Sequence, residues 1–304
     1  MNTIPIFIAC DDNYAKYAAV VVKSVAANCA APLYFGILCD SLTEENKTKL
    51  LATAGKNRLE FLNVDSRQFD AFNVSWYLKY ITKETCFRYL IPEIKPEFDK
   101  AIYLDCDVVC IDDISKLFAY DISDVYAGVI PDSKDSDYFI AGVILINSKK
   151  CREDKIGIRL FERTKQLNGV SRFLDQDVLN DVYVRKVKKL PARWQIVPLF
   201  FNKKYGFDDG ELESMLDNAG IVHLCGPDKP WTAPFGMTAN PYACAFFHYL
   251  RQTPYAEKET EIKEKFVPVL AFLKMAWRNP AFLFKRQFWI RRKYAKIISK
   301  RYGK

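Results

Sequence analysis

Asp105 and Asp107 stand one residue apart at the end of the apolar run Lys100–Leu104. In extended backbone the side chains at i and i+2 point to the same side, so the two carboxylates project together and repel each other unless a cation lies between them. Oxygen ligands of this kind suit Mg²⁺ or Mn²⁺, and an added imidazole favours Mn²⁺. The imidazole on offer is His223, in Ile-Val-His-Leu-Cys-Gly-Pro-Asp-Lys-Pro-Trp at 221–231. There the turn at Gly226 permits a close backbone approach, and Lys229 can neutralise a phosphate as a point charge. Together these groups would suit a metal-bound diphosphate. A third cluster, Asp175-Gln176-Asp177, opens a helical pattern. Each cluster alone also has a plain structural reading: a solvated acidic pair, a core histidine, and carboxylates complementing a helix dipole. With only two histidines in the chain, His223 and His248, chemistry that needs several is excluded.

These residues need a frame. Ile4–Cys10 is a short apolar run delivering Asp11-Asp12-Asn13, as a buried parallel strand does at its C-terminal edge. Helical spacing follows over Tyr14–Asn28, a strand over Leu33–Cys39, a helix over Leu42–Ala54 opened by Ser41 or Thr43, and a strand over Leu59–Val64. Further on, Thr82–Leu90 reads as a helix stopped near Pro92, Lys100–Leu104, Val125–Ile130 and Phe139–Ile146 as strands, and Lys149–Gln166 and Asp175–Asp181 as helices. Alternation of this kind predicts an α/β fold, a mostly parallel central sheet with helices on both faces. Ligands then bind beyond the C-terminal strand ends. Pro and Gly are frequent from Pro191 to Pro241, which predicts a loop-rich lobe over the site.

At 304 residues, half of them apolar, the chain can bury a large core. Its net charge of +8 is local: eleven of the 45 Lys and Arg fall between Lys274 and Lys304, where there is no Asp or Glu, leaving 34 cations against 37 acidic residues elsewhere. Interleaved with Trp277, Phe282, Phe284, Phe288, Trp289, Ile290 and Tyr294, those cations read as an amphipathic helix drawn to an anionic membrane surface. A solvated basic helix is the plainer reading. Nucleic acid is not expected as a partner, because the body is slightly acidic. The nine cysteines include no Cys-x-x-Cys pair and read as reduced thiols of a cytoplasmic protein. Neither a signal peptide nor a membrane span is expected.

Taken in order, the motifs resemble those of the family 8 retaining glycosyltransferases, in particular bacterial lipopolysaccharide galactosyl- and glucosyltransferases, over most of residues 4–235. Ala9-Cys10-Asp11-Asp12-Asn13-Tyr14 is similar to the nucleotide-binding strand end, with Asp11 and Asn13 where the family contacts uracil and ribose. Arg88 matches an arginine near the donor, and Tyr103-Leu104-Asp105-Cys106-Asp107 the metal motif. Asp132 falls where an aspartate binds the donor sugar. Residues Phe173–Asn180 match the segment beside the reacting carbon, and His223–Trp231 carries the third metal ligand and the phosphate lysine. One position departs: Ile140, next to Ala141, stands where the family usually has an asparagine that touches donor sugar or acceptor.

The resemblance implies a GT-A type nucleotide-sugar-binding fold in a catalytic domain over 1–250, and the basic and aromatic residues beyond it read as a helical membrane-association tail over 251–304. It also implies retaining transfer of galactose or glucose from a UDP-sugar to a lipopolysaccharide or other cell-surface glycan or glycolipid, at the inner face of the plasma membrane. The metal, Mn²⁺ or Mg²⁺, would sit on Asp105, Asp107 and His223. Gln176 is a poor nucleophile, since a neutral amide lacks a carboxylate's charge, and Asp177 could serve only if it reaches the sugar. Same-face substitution is therefore favoured, with Asp175 and Gln176 orienting the sugar. The alternatives are a catalytically weak or inactive membrane-bound glycan-binding or scaffold protein of the same fold, and a haloacid-dehalogenase-like phosphatase with Asp105 as nucleophile. Removing residues 274–304 is expected to spare transfer to a soluble acceptor.

Overall fold

The computed structural model describes residues 3–70, 82–167, 173–226, 229–231, 241–257 and 286–302. The elements run β1 (Ile4–Ala9), α1 (Ala15–Asn28), β2 (Leu33–Cys39), α2 (Glu44–Ala54), β3 (Arg58–Asn63), 3₁₀ turns at Ser66–Phe69 and Lys83–Leu90, α3 (Ile91–Ile94), β4 (Ala101–Leu104) and β5 (Val108–Cys110). They continue with α4 (Ser115–Phe118), β6 (Ala127–Pro131), β7 (Phe139–Ile146), α5 (Ser148–Glu153), α6 (Ile156–Leu167), α7 (Asp175–Val182) and β8 (Val187–Lys189). After short 3₁₀ segments come α8 (Asp209–Asp217), β9 (Ile221–His223), α9 (Ala243–Leu250) and α10 (Arg286–Tyr302).

Seven strands form one sheet in the order β3-β2-β1-β4-β7-β6-β8. β3, β2, β1 and β4 are mutually parallel, β7 runs antiparallel to both β4 and β6, and β8 is parallel to β6. Because β1 and β4 lie side by side and point the same way, Cys10 and Asp105 emerge at one edge. The Cys106 thiol donates to the Ala9 carbonyl (3.1 Å) and ties the two strand ends together. One face of the sheet is covered by α1, α9 and α10, through residues such as Val21, Phe246 and Ile298. The other is covered by the 83–90 turn, α6 and α7, through Phe87, Leu160 and Val178. The α/β architecture with helices on both faces is as the sequence predicts.

Three local readings change. Lys83–Leu90 is 3₁₀, and the chain turns on into α3, where Pro92 sits in the first turn and its missing N–H leaves no bond unmade. The helix expected over Lys149–Gln166 is two, α5 and α6, separated at Lys155 by a left-handed residue (φ 51°). In the tail, Ile290, Tyr294, Ile298 and Tyr302 are buried at four-residue spacing, and α10 packs on α8 and α9. Ion pairs Arg286–Asp209 (3.0 Å) and Lys293–Glu213 (3.3 Å), with a Tyr294–Asp217 hydrogen bond (2.9 Å), flank that contact. So Ile290 and Tyr294, expected toward lipid, face the protein, whereas Trp289 is 56% exposed. Deleting the helix would strip apolar surface from α8 and α9, so removal of 274–304 would perturb this contact as well as any membrane contact. Trp277, Phe282, Phe284 and the tail's start at Lys274 lie outside the described residues. No described helix is long and apolar enough to cross a membrane.

Candidate active site

His223 is brought to the aspartates by strand register. β5 continues from Asp107 and pairs antiparallel with β9, setting Val108 opposite His223; the Asp107 carbonyl accepts from the Leu224 N–H (2.8 Å). His223 Nε2 then lies 2.9 Å from Asp107 Oδ1 and 3.8 Å from Asp105 Oδ2. Ligand bonds of about 2.0–2.2 Å place the donor atoms around one ion roughly 3–4 Å apart. The two carboxylates and the imidazole therefore fit a small divalent cation, and among the described residues they form the one such cluster.

The two aspartates are held differently. Asp105 Oδ1 accepts from Arg88 Nη2 (2.9 Å) and from the Tyr103 hydroxyl (2.8 Å), leaving Oδ2 turned to His223. Arg88 is buried, stacked 4.1 Å over the Tyr103 ring, and also donates to the carbonyls of Thr85 (2.7 Å) and Ala141. Its Nε lies 3.2 Å from Asp175 Oδ2, but the single Nε–H is spent on Thr85, so Asp175 Oδ2 gains charge without a hydrogen bond. Burial accordingly pushes the Asp175 carboxyl above its usual range, with Arg88 opposing. For Asp107, burial acts in the same direction, but the Lys229 ammonium on Oδ2 and the imidazole on Oδ1 outweigh it and hold the carboxyl well below the usual range. Burial would lower Lys229; Asp107 outweighs it and keeps the lysine firmly protonated.

Two residues to which the sequence reading gave no role complete the cluster. Gln195 is wholly buried; its Oε1 accepts from the Val143 N–H (3.0 Å), which turns its Nε2 onto His223 Nδ1 (3.0 Å). No motif marks this glutamine. Gly142 carries the backbone directly under the imidazole: a Cβ there would lie 2.3 Å from His223 Cε1 and 3.0 Å from Asp105 Oδ2. Its carbonyl accepts from the Asp105 N–H (2.9 Å).

The cluster lies in a cavity of about 790 Å³, a size suited to a small-molecule ligand. Ala9, Cys10, Asp11 and Tyr14 line one end, beside Asp105, Cys106, Asp107, Gly226 and Lys229. Arg88, Asp132, Ile140, Ala141, Asp175 and Gln176 line the other. Asn13 is not part of the lining: it is exposed and donates to Asp11 (3.2 Å). Asp177 is also outside it, because the Tyr138 hydroxyl donates to Oδ1 and the Phe173 N–H to Oδ2 (2.9 Å). That commitment makes it a brace for Tyr138. Gln176 Oε1 accepts from the Ala141 N–H (3.0 Å) and its Nε2 donates to Tyr138 (3.2 Å). The strained turn at Leu174 (φ 42°), just before α7, delivers Asp175 and Gln176 to the cavity.

A model of glycosyl transferase family 8 matches residues 5–234. General stress protein A of Bacillus subtilis strain 168 is 28% identical over 272 residues, covering 81% of this chain and 92% of that protein. The lipopolysaccharide 1,2-glucosyltransferase of Escherichia coli is 25% identical over 290 residues, covering 86% and 84%. Among solved structures, the galactosyltransferase LgtC in complex with donor and acceptor sugar analogs superposes with a TM-score of 0.72 at 26% identity, covering 86% of this chain and 100% of that one.

Proposed function

The chain belongs to glycosyl transferase family 8, and from that premise we propose that it moves galactose or glucose, with retention, from a UDP-sugar to a lipopolysaccharide or other cell-surface glycan. The observation that carries the proposal is the convergence of Asp105, Asp107, His223 and Lys229 in one cavity, between the strand end at Cys10–Asp11 and the Asp175–Gln176 turn. A divalent cation on the three ligands, Mn²⁺ given the imidazole, would act as a Lewis acid toward the leaving diphosphate. Lys229, charged and already beside Asp107, adds a second positive group where that charge accumulates. Asp11 and Tyr14 border the nucleoside end. Asp132, Asp175 and Gln176, with Ile140 and Ala141 beside them, line the part of the cavity where the hexose would lie.

Asp177 is hydrogen-bonded to Tyr138 and Phe173 and stands outside the cavity lining, and Asp175 is buried against Arg88. This supports same-face substitution, in which the diphosphate oxygen takes the proton of the incoming hydroxyl. The phosphatase alternative needs Asp105 as a free nucleophile, whereas its Oδ1 is bound by Arg88 and Tyr103. Residues 251–304 are the proposed membrane-association part, acting at the cytoplasmic surface through the outward side of α10 with Trp289. Metal-dependent hydrolysis of a panel of UDP-sugars by the full chain tests donor, cation and turnover together. One or two UDP-hexoses should be hydrolysed only with Mn²⁺ or Mg²⁺; hydrolysis indifferent to chelation, or of none of the panel, would refute the proposal.

A further inference from the structure

We propose that the cavity wall formed by the 198–205 loop and α10 is an anion subsite, centred on Arg291, that holds a phosphate or carboxylate group of the acceptor. The inference rests on reading the cavity as a site of sugar transfer. Arg291 lines the cavity from α10 with its guanidinium 4.8 Å from the centroid of the Phe201 ring. Its Nε is buried without a hydrogen-bond partner, and no carboxylate lies within ion-pair range of it among the described residues. Two other cations of the cavity have theirs, Arg88 with Asp105 and Asp175 and Lys229 with Asp107, as do Arg286 with Asp209 and Lys293 with Glu213 on α10. Burial without an acid pushes Arg291 down to about 10, which leaves it charged at neutral pH.

A half-buried guanidinium whose Nε is shut off from solvent and lacks a counter-charge is under-compensated, and an anionic ligand is what would offset it. Lys204 adds a second cation to the same wall, its Nζ 4.9 Å over the Tyr205 ring and outside any ion pair among the described residues. The donor's parts are met elsewhere in the cavity, so this wall faces the other substrate. Leu199, beside it, is 42% exposed, which opens this side to solvent. Guanidinium binds phosphate and carboxylate oxygens in the same forked geometry. Hence the shared chemistry is an anionic substituent near the receiving hydroxyl.

The test uses the full chain saturated with UDP and Mn²⁺, so that the diphosphate site is filled, titrated separately with glucose 6-phosphate, glucuronate and glucose. At least one charged sugar should bind tenfold or more tightly than glucose, and the preferred one identifies the anion. Arg291→Gln should abolish the preference and Arg291→Lys retain part of it. Since Arg291 also packs over Phe201, the exposed Lys204→Gln serves as a second variant, with a smaller loss. Equal binding of the three sugars, or an undiminished preference in Arg291→Gln, overturns the subsite. Hydrolysis of UDP-hexose by the unmodified chain reports the transfer reading separately, so the two failures are distinguishable.

Discussion

Substituting Gly142 with alanine is a one-carbon test of the metal centre. The new Cβ would stand 2.3 Å from Cε1 and 2.6 Å from Nδ1 of His223, where carbon atoms normally approach to about 3.5 Å. Something must retreat by about 1 Å. On one side β7 is held to β4 by the Val143–Leu104 pairing and by the Asp105 N–H on the Gly142 carbonyl, although on the other residues 141–143 fall at a break in register with β6. The imidazole therefore moves, and it moves about five times further than the ~0.2 Å that ligand distances tolerate. Disturbing a residue behind a metal ligand typically costs 10–100-fold in affinity, so expelling the ligand should weaken Mn²⁺ binding by about 100-fold or more. Overpacking should cost only about 1–3 kcal/mol of stability. Calorimetric titration of Mn²⁺ in the presence of UDP, with UDP-hexose hydrolysis in parallel, measures both consequences. Gly210→Ala is the control, because its Cβ meets only Asp208 Oδ1 at 3.4 Å. Unchanged Mn²⁺ affinity and hydrolysis in Gly142→Ala would refute the assignment of His223 as a ligand.

Asp107→Asn should lower hydrolysis by about 100-fold or more while weakening UDP less; full rates with added Mn²⁺ would contradict the assignment. The same variant has a pH signature. The folded-state carboxyl of Asp107 is depressed, so its contribution to stability is complete above the unfolded value near 4 and is lost as pH falls toward the lower folded value. Urea unfolding at pH 5 and pH 3 should therefore show a shallower acid decline in Asp107→Asn than in the parent. Gln195→Leu should reduce Mn²⁺ affinity roughly 10–100-fold by releasing the imidazole, and retained affinity would show that the glutamine is incidental. Arg88→Met should destabilise by about 3–5 kcal/mol, because it leaves buried carboxylates unpaired, and adding Asp175→Asn should recover part of the lost melting temperature; no recovery would deny the pairing. For the tail, Lys296→Glu with Lys300→Glu should weaken sedimentation with anionic vesicles and spare hydrolysis, whereas unaltered sedimentation would remove α10 from the membrane proposal.

Strand ends were the legible part. β2 and β7 have the bounds their apolar runs suggest, and Asp105, Asp107 and His223 meet as their types and flanking strands imply. The direction of β7 was not legible, since Phe139–Ile146 is buried on both faces and a continuous apolar run reads alike in either direction. Gly142 and Gln195 stayed hidden for a related reason: their roles arise only from β4–β7 pairing and from contacts across 28 residues or more of chain. The tail illustrates the limit of amphipathicity. A stripe at 290, 294, 298 and 302 is apolar whether it meets lipid or α8 and α9, and only the acidic partners Asp209, Glu213 and Asp217 settle the matter in favour of protein.

The unequal treatment of the two aspartates has a mechanical sense. Asp105 is fixed by Arg88 and Tyr103, and the same guanidinium reaches Asp175 and the carbonyl of Ala141, whose N–H holds Gln176. One buried cation thus links the Asp105 end of the cavity to the Asp175–Gln176 turn through short contacts, so the two cannot drift apart independently. Asp107, by contrast, is bound to Lys229 and His223, the groups proposed to face the diphosphate and the cation. Charge in this cavity is therefore divided between a frame around Arg88 and a set around Lys229. A disturbance of the frame should depress stability and turnover together, whereas a disturbance of Asp107 or Lys229 should depress turnover first.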